Sequence, residues 1–329
     1  MVQEKHPSND RGRMAKRPWE ISLRGWRDII LRLKDDIYDH NIFILSAGVA
    51  FYAFLSIFPA LVVIVSIYGI IANPSDVQQQ FSNYGGMLPE AARTLLSQQL
   101  QRITSSAAST MSAGVIIGLL FTLWSATAGT KTFMTALNMV YGEKEKRGFI
   151  EFNRDALLMT FGVILLIVLA LIFIVALPTI LNTMDLPPIL TTVLSFLPWL
   201  FLAGCFIFGL SAIYRYGPSR RKAQWNWVNF GSVVATVLWI IISLLFSFYV
   251  GNFGKYANTY GSLGAIIILL LWFYWSAFVT LLGAGLDAEM EHQTTIDTTK
   301  GKPKPMGKRG AYVADTIGKA FDDKDERRQ

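Results

Sequence analysis

The sequence predicts an all-α, polytopic membrane protein with six transmembrane helices, and three observations predict it. Six stretches contain no Asp, Glu, Lys or Arg: 41–75, 103–130, 156–184, 186–214, 223–254 and 256–286. Each exceeds the roughly 20 apolar residues that a helix needs to cross hydrocarbon. The 329 residues are 52% hydrophobic and only 16% charged, against about 25% charged in ordinary soluble domains. Finally, Lys and Arg alternate in number along the connections, in the order 9, 2, 4, 0, 4, 1 and 9, with only Lys131 inside a span. Basic residues resist translocation, so six spans with both termini in the cytoplasm satisfy the pattern without conflict. These features exclude a soluble enzyme, a disordered chain and a coiled coil. An outer-membrane barrel is excluded because its strands alternate over about 10 residues and lack long apolar runs.

In chain order, residues 1–17 read as a disordered basic tail. Over 18–40, Trp19, Leu23, Trp26, Ile30, Leu33 and Ile37 fall on one face of a helix, with Arg24, Arg27, Asp28, Lys34 and Asp35 on the other. This amphipathic helix either lies in the membrane interface or packs beneath the bundle; the pattern leaves both open. The membrane domain occupies 41–290. Its first span, about 42–72, carries Pro59, which removes a backbone hydrogen bond and predicts a kink. That apolar run is too long for a cleaved signal and is expected to act as an uncleaved anchor. The outer loop, 73–111, carries two helical patterns that predict a collar.

Span 2, about 112–139, is the least apolar. Thr122, Ser125, Gly129, Thr132 and Ala136 form one small stripe, and Thr127, Lys131, Thr135 and Asn138 an adjacent one. Small and hydroxylated residues allow close helix approach, which predicts a central position. Spans 3 to 6 follow at about 156–180, 190–214, 226–250 and 260–286, with Trp199, Trp225, Trp227 and Tyr249 near the predicted membrane interfaces, where amphipathic rings prefer to sit. Residues 291–329, rich in Lys, Thr and Asp, read as a disordered cytoplasmic tail. No internal repeat points to an inverted-repeat transporter.

Three segments together resemble the YihY/virulence factor BrkB family of bacterial inner-membrane proteins, formerly labelled ribonuclease BN. They are AGVAFYAFLSIFPALVVIVS at 47–66, ALNMVYGEKEKRGF at 136–149 and TYGSLGAIIILLLWFYWSAFVTLLGAGLDAE at 259–289. The similarity covers roughly residues 25–290. The family usually ends its last span with Gly-Ala-Glu, then Asn and a further Glu. Here Gly285 replaces the first acid, Asp287 stands where Asn is usual, and Glu289 is kept. The resemblance implies an inner-membrane location and an envelope role, with lipid or lipopolysaccharide transport among the activities proposed for relatives.

Nothing in the sequence supports the ribonuclease label. The three histidines, His6, His40 and His292, are isolated and form no metal-binding pattern. There is no nucleotide-binding GxxxxGK[ST] motif, no cofactor is implied, and Cys205 is the single cysteine. The net charge of +7 follows from topology and contact with anionic headgroups, so nucleic acid is not an expected partner. Membrane lipids are expected partners, and envelope proteins or a second copy of the chain are further ones.

The candidate cavity or substrate-path residues are Pro59, Lys131, Asn138, Arg215, Tyr260, Gly261, Ser262 and Gly264. Pro59 and the Tyr260–Gly264 segment mark irregular backbone, which a bilayer tolerates only inside protein or water. Lys131 either snorkels as a headgroup anchor or lines a path. Asn138 and Arg215, at helix ends, serve as caps and topology markers or grip a lipid phosphate. Arg147 is expected to pair with Asp287 or Glu289, because carboxylates at a helix C-terminus oppose its dipole. The expectation is a non-enzymatic envelope protein that handles or exports an amphipathic molecule such as a lipid, with a structural or assembly factor as the alternative.

Overall fold

The computed structural model describes residues 11–71, 113–183, 190, 194, 197–253 and 262–321. A 3-10 turn at Pro18–Glu20 precedes α1 (Leu23–Asp39). Six longer helices follow: α2 (Ile42–Ile71), α3 (Ala113–Val140), α4 (Phe149–Thr183), α5 (Leu197–Tyr216), α6 (Trp225–Phe253) and α7 (Ser262–Gln293). A single turn, α8 (Tyr312–Asp315), lies in the C-terminal segment. The described structure is all-α; its only extended pairing is an isolated bridge between Ala223 and Thr299.

The bundle is apolar outward. Phe121, Leu158, Leu200, Leu244, Leu245 and Phe248 are exposed, whereas Ser46, Thr127, Ser211, Ser232 and Thr236 are buried. Lipid-facing helices invert the soluble pattern in this way, because packing and hydroxyl bonds, not apolar burial, hold them together. Four helices are long and apolar enough to cross a membrane over described stretches: Phe149–Ala170, Leu197–Tyr216, Trp225–Tyr249 and Ile266–Gln293. The protein is therefore a multi-pass membrane protein.

Helix α3 packs closely on α2. A Cβ on Gly129 would lie 3.2 Å from both the Ala53 Cα and the Ser56 hydroxyl, which itself accepts from the Gly129 amide at 2.9 Å. The small stripe of the second span is thus a helix contact. Its hydroxyls largely bond their own helix, as Thr127 does to the Trp124 carbonyl and Thr132 to that of Ala128. Helix α2 continues through Pro59. Between α5 and α6, Ser211 donates to Ser232 at 2.9 Å, and between α6 and α7 the Trp239 indole donates to Ser276 at 3.0 Å.

Three sequence readings are decided or changed at the end of the bundle that carries the termini. Residues 1–10 and 322–329 lie outside the described residues, but residues 11–17 and 291–321 are ordered, the buried positions of the latter concentrated in 291–299 and 311–314, where composition predicts disordered tails. The reason is polar satisfaction: Arg309, buried, donates to the carbonyls of Thr295, Ile296, Lys304 and Ala314. Arg13 likewise donates to the carbonyls of Gln293 and Gly318. A count of apolar residues misses such a network. Second, α1 packs under the bundle through Trp26, Ile29 and Leu33, alongside Trp227, Leu286 and Met290, leaving Trp19, Leu23 and Ile30 exposed. Asp28, on the helix's polar face, is fully buried because Arg11 bonds both its carboxylate oxygens at 2.8 Å. Third, Trp227 is buried in the same cluster and is no interfacial ring.

Arg32 joins α1 to α7 by donating to the Glu289 carboxylate and to Gln293 at 2.8 Å. Asp36 lies in the same cluster. Burial, then the charge of Glu289 and a hydrogen bond with it, raise the Asp36 carboxyl to about 7. The folded protein therefore holds this proton more tightly than the unfolded chain. Its stabilising contribution is complete below the ordinary value of 3.8 and is lost as pH rises through about 7. Thermal unfolding in detergent should show wild type losing stability between mildly acid and mildly alkaline pH, with Asp36→Asn flattening that slope. An unchanged slope in the variant would remove Asp36 as its source.

Candidate functional site

Three connections converge at the terminus-bearing end of the bundle: the turn from α3 to α4, the linker from α5 to α6, and the C-terminal segment. Gly142, at φ 63°, reverses the chain after α3 in a conformation that side chains disfavour. Asn138, buried near the end of α3, bridges two connections. Its amide donates to Glu145 at 2.9 Å, and its carbonyl oxygen accepts from the Ser219 backbone at 2.7 Å. The Ser219 hydroxyl in turn accepts from the Lys146 amide at 3.0 Å, and Arg147 donates to the Gly217 carbonyl at 2.9 Å. The third connection docks by backbone bonds from Arg221 to Gly310, Gln224 to Thr298 and Lys300 to Lys222.

These loops line an open pocket of about 330 Å³ bordered by Lys146, Arg147, Asp155, Arg215, Tyr216, Pro218, Ser219, Arg220, Arg221, Lys222 and Gly310. Six cations face a single carboxylate, Asp155. Most of the cations are already engaged. Lys146 pairs with Glu143 at 2.9 Å, Arg147 with Glu145 at 2.8 Å and Asp155 at 3.4 Å, and Arg220 with Glu291 at 2.7 Å. Burial pushes Glu145 up, but hydrogen bonds from the Arg147 side chain and amide and from Asn138 outweigh it, leaving the carboxyl at about 2. Arg147 is therefore firmly committed.

Arg215 differs. It is 3% exposed, and its Nε and Nη1 have no hydrogen-bond partner. Its guanidinium is positioned by aromatic faces, 4.3 Å from the Trp225 ring centroid and 5.4 Å from that of Tyr216. A guanidinium so held presents unused donors in a fixed plane, which matches the oxygens of a phosphate or carboxylate. Among the described residues, no group of three or more His, Cys, Asp or Glu is placed to hold a metal ion.

The pocket brings together Arg215 and Arg147, with Asn138 as its brace. It does not take in Lys131, which sits 4.2 Å from the ring centroid of the exposed Trp124. The expected pairing of Arg147 with Asp287 or Glu289 is not made. Arg147 is held by Glu145, while Asp287 accepts from the Gly231 amide at 2.7 Å and Glu289 bonds Arg32 and His292. Asp287 and Glu289 each find a closer partner on α1, α6 or their own helix. Gly264 is buried within α7, Ser262 opens that helix, and Tyr260 and Gly261 lie outside the described residues, as does the outer loop. Sequence reasoning missed Arg220, Arg221, Lys222 and Ser219; the Ser-Arg-Arg-Lys run at 219–222 was its only signal and read as topology.

Fold and site together define a polytopic helical membrane protein with a basic pocket at one end of its bundle. The sequence model of the family described as Virulence factor BrkB matches residues 34–308. The protein belongs to this family. It is similar to the ribonuclease-like protein YfkH of Bacillus subtilis, at 29% identity over 74% of this chain and 88% of the relative. It is also similar to a UPF0761 membrane protein of Vibrio vulnificus, at 27% identity over 84% and 87% of the two chains. A UPF0761 membrane protein of Tolumonas auensis is 32% identical over 35% of this chain and 36% of its own length. No solved structure matches.

Proposed function

We propose that the protein is a six-span component of the bacterial inner membrane with both termini in the cytoplasm, and that its basic pocket binds the anionic head of an amphipathic molecule. A phosphate-bearing lipid is the substrate class that fits. The reading is one of handling or export without covalent chemistry. The observation that carries it is Arg215, a buried guanidinium with unused donors in a pocket of six cations and one carboxylate. The 26 basic residues on the terminus-bearing side of the charge pattern support the cytoplasmic assignment of that end.

The test is binding and movement of a labelled anionic phospholipid in vesicles reconstituted with the full chain. Arg215→Ala should weaken headgroup binding by about 10- to 100-fold, because hydrogen bonds to charged groups contribute about 1.5–3 kcal/mol. Arg215→Lys should recover only part of this, since an ammonium lacks the planar fork. Equal lipid movement with and without protein, together with unchanged binding by Arg215→Ala, would defeat the reading.

A second reading, a structural or assembly factor for the envelope, draws on the composite surface that the N-terminal segment, α1 and the C-terminal segment build together. It expects deletion of 292–329 to abolish function while Lys131→Ala and Arg215→Ala leave it intact. The name of YfkH raises RNA cleavage as a third; purified protein that cleaves RNA no faster than a mock preparation would dismiss it.

A further inference from the structure

Behind the pocket, three polar atoms from three elements are buried without a hydrogen-bond partner: Asp287 Oδ2 on α7, the Tyr141 hydroxyl after α3, and Arg220 Nε in the linker between α5 and α6. They share one locale. The Arg220 guanidinium lies 4.1 Å from the Tyr141 ring centroid, and Tyr141 is within electrostatic reach of Asp287, Arg220, Glu291 and Tyr214. Asp287 and Tyr141 are both fully buried. Asp287 lies one residue past the charge-free block 256–286.

The charges there do not balance. Arg220 gives both terminal nitrogens to Glu291, at 2.7 and 3.1 Å, and Thr298 donates to the same carboxylate at 2.7 Å. That pair is neutral in sum, so an ionised Asp287 would have no counter-ion of its own. Its one bond is from the Gly231 amide on α6. Among the described residues, the other surroundings offer no second cation. Helix α5 presents Tyr214, whose hydroxyl donates to the Thr280 carbonyl. Helix α2 contributes Ile42 and Val49 to this core and a buried Ser46, none of them titratable. On α1, Arg32 and Asp36 engage Glu289, and Glu143 faces Arg220 from the α3 turn. A carboxylate enclosed without a counter-ion is strongly disfavoured, whereas the neutral acid carries an O–H that can use a hydroxyl or a buried water.

We propose that Asp287 is a proton-binding site, coupled to the basic pocket through Arg220. With the proton on Oδ2, Arg220 stays with Glu291 and no net negative charge stands behind the pocket. When that proton leaves to water, the Asp287 carboxylate becomes a second claimant on Arg220 and opposes an anion in the pocket. Anion binding is therefore linked to proton uptake, and the link is reciprocal. No bond other than O–H forms or breaks. The coupling rests on the pocket reading; the proton site itself does not.

The experiment uses the full chain in lipid vesicles, in an Asp36→Asn background so that the other proton-holding carboxyl is silent. Infrared spectra at neutral pH should contain a protonated-carboxyl C=O band that disappears in Asp287→Asn. Isotope labelling of aspartate should shift the band, so the assignment stands even if that variant folds poorly. With inorganic sulfate as the probe, affinity should fall by about tenfold from mildly acid to alkaline pH, and Asp287→Asn, fixed in the neutral form, should remove this dependence. Absence of an aspartate-derived band overturns the proposal whatever sulfate does. A band accompanied by pH-independent sulfate binding overturns the coupling. A band with no sulfate binding at any pH overturns the pocket reading and upholds the proton site.

Discussion

Arg220→Ala is expected to destabilise the protein by about 3–5 kcal/mol, because it leaves a buried carboxylate without its partner. Both side chains of the Arg220–Glu291 pair are fully buried, and the guanidinium also covers the Tyr141 ring. Solvent cannot replace either contact. Thermal unfolding in detergent should show the loss, and Glu291→Gln alone should show a smaller one, since Thr298 and Arg220 can still donate to the amide oxygen. The double variant Arg220→Met/Glu291→Gln should be more stable than Arg220→Ala, because it removes both charges together and fills the volume. If Arg220→Ala melts like wild type, the pair is not the clamp between the α5–α6 linker and α7 that its geometry indicates.

Gly231→Ala should be similarly damaging, at about 2–5 kcal/mol, from overpacking together with loss of a buried hydrogen bond. A Cβ at Gly231 would stand 2.2 Å from the Gly283 carbonyl oxygen and 2.6 Å from the Asp287 carboxyl carbon. Backbone cannot yield as a flexible side-chain tip does, so α6 and α7 would have to separate, and the Gly231 amide would lose Asp287. Gly283 is crowded in the reciprocal sense, its own Cβ position lying 2.7 Å from the Gly231 oxygen. Gly48→Ala is the control, with nothing within 4 Å of its Cβ position. There the better helix propensity of alanine should leave stability equal or slightly raised. Equal tolerance at 231 and 48 would contradict the close α6–α7 contact.

Much of the architecture was legible in the chain. The charge-free blocks correspond to the long helices, because a run of that length without charge has one economical environment. Span 2 packs as its small residues imply, with Gly129 against Ala53. The candidate site was legible only in fragments. Arg215, Asn138 and Arg147 were singled out, but as separate caps and pairs. Nothing in their spacing shows that Asn138 reaches Ser219 or that Trp225 flattens Arg215. The Arg147 pairing failed because charge complementarity names eligible partners without giving distances, and Glu145 lies two residues away. The C-terminal segment was misread because composition measures apolar content, whereas this segment is held by carbonyls converging on Arg309, Arg13 and Arg32.

The sequence by itself determined the solvent of this protein. Long uncharged segments and an alternating basic pattern specify a helical membrane domain, since hydrocarbon penalises charge and unpaired backbone at every position along a span. Only the tertiary structure decided which charges meet. Asp28, Arg32, Arg220, Asp287 and Glu291 look like ordinary solvated residues in one dimension, and each is buried. The difference is physical: partition into lipid is summed residue by residue along the chain, while a buried ion pair or an orphaned guanidinium depends on atoms brought within a few ångströms from distant segments.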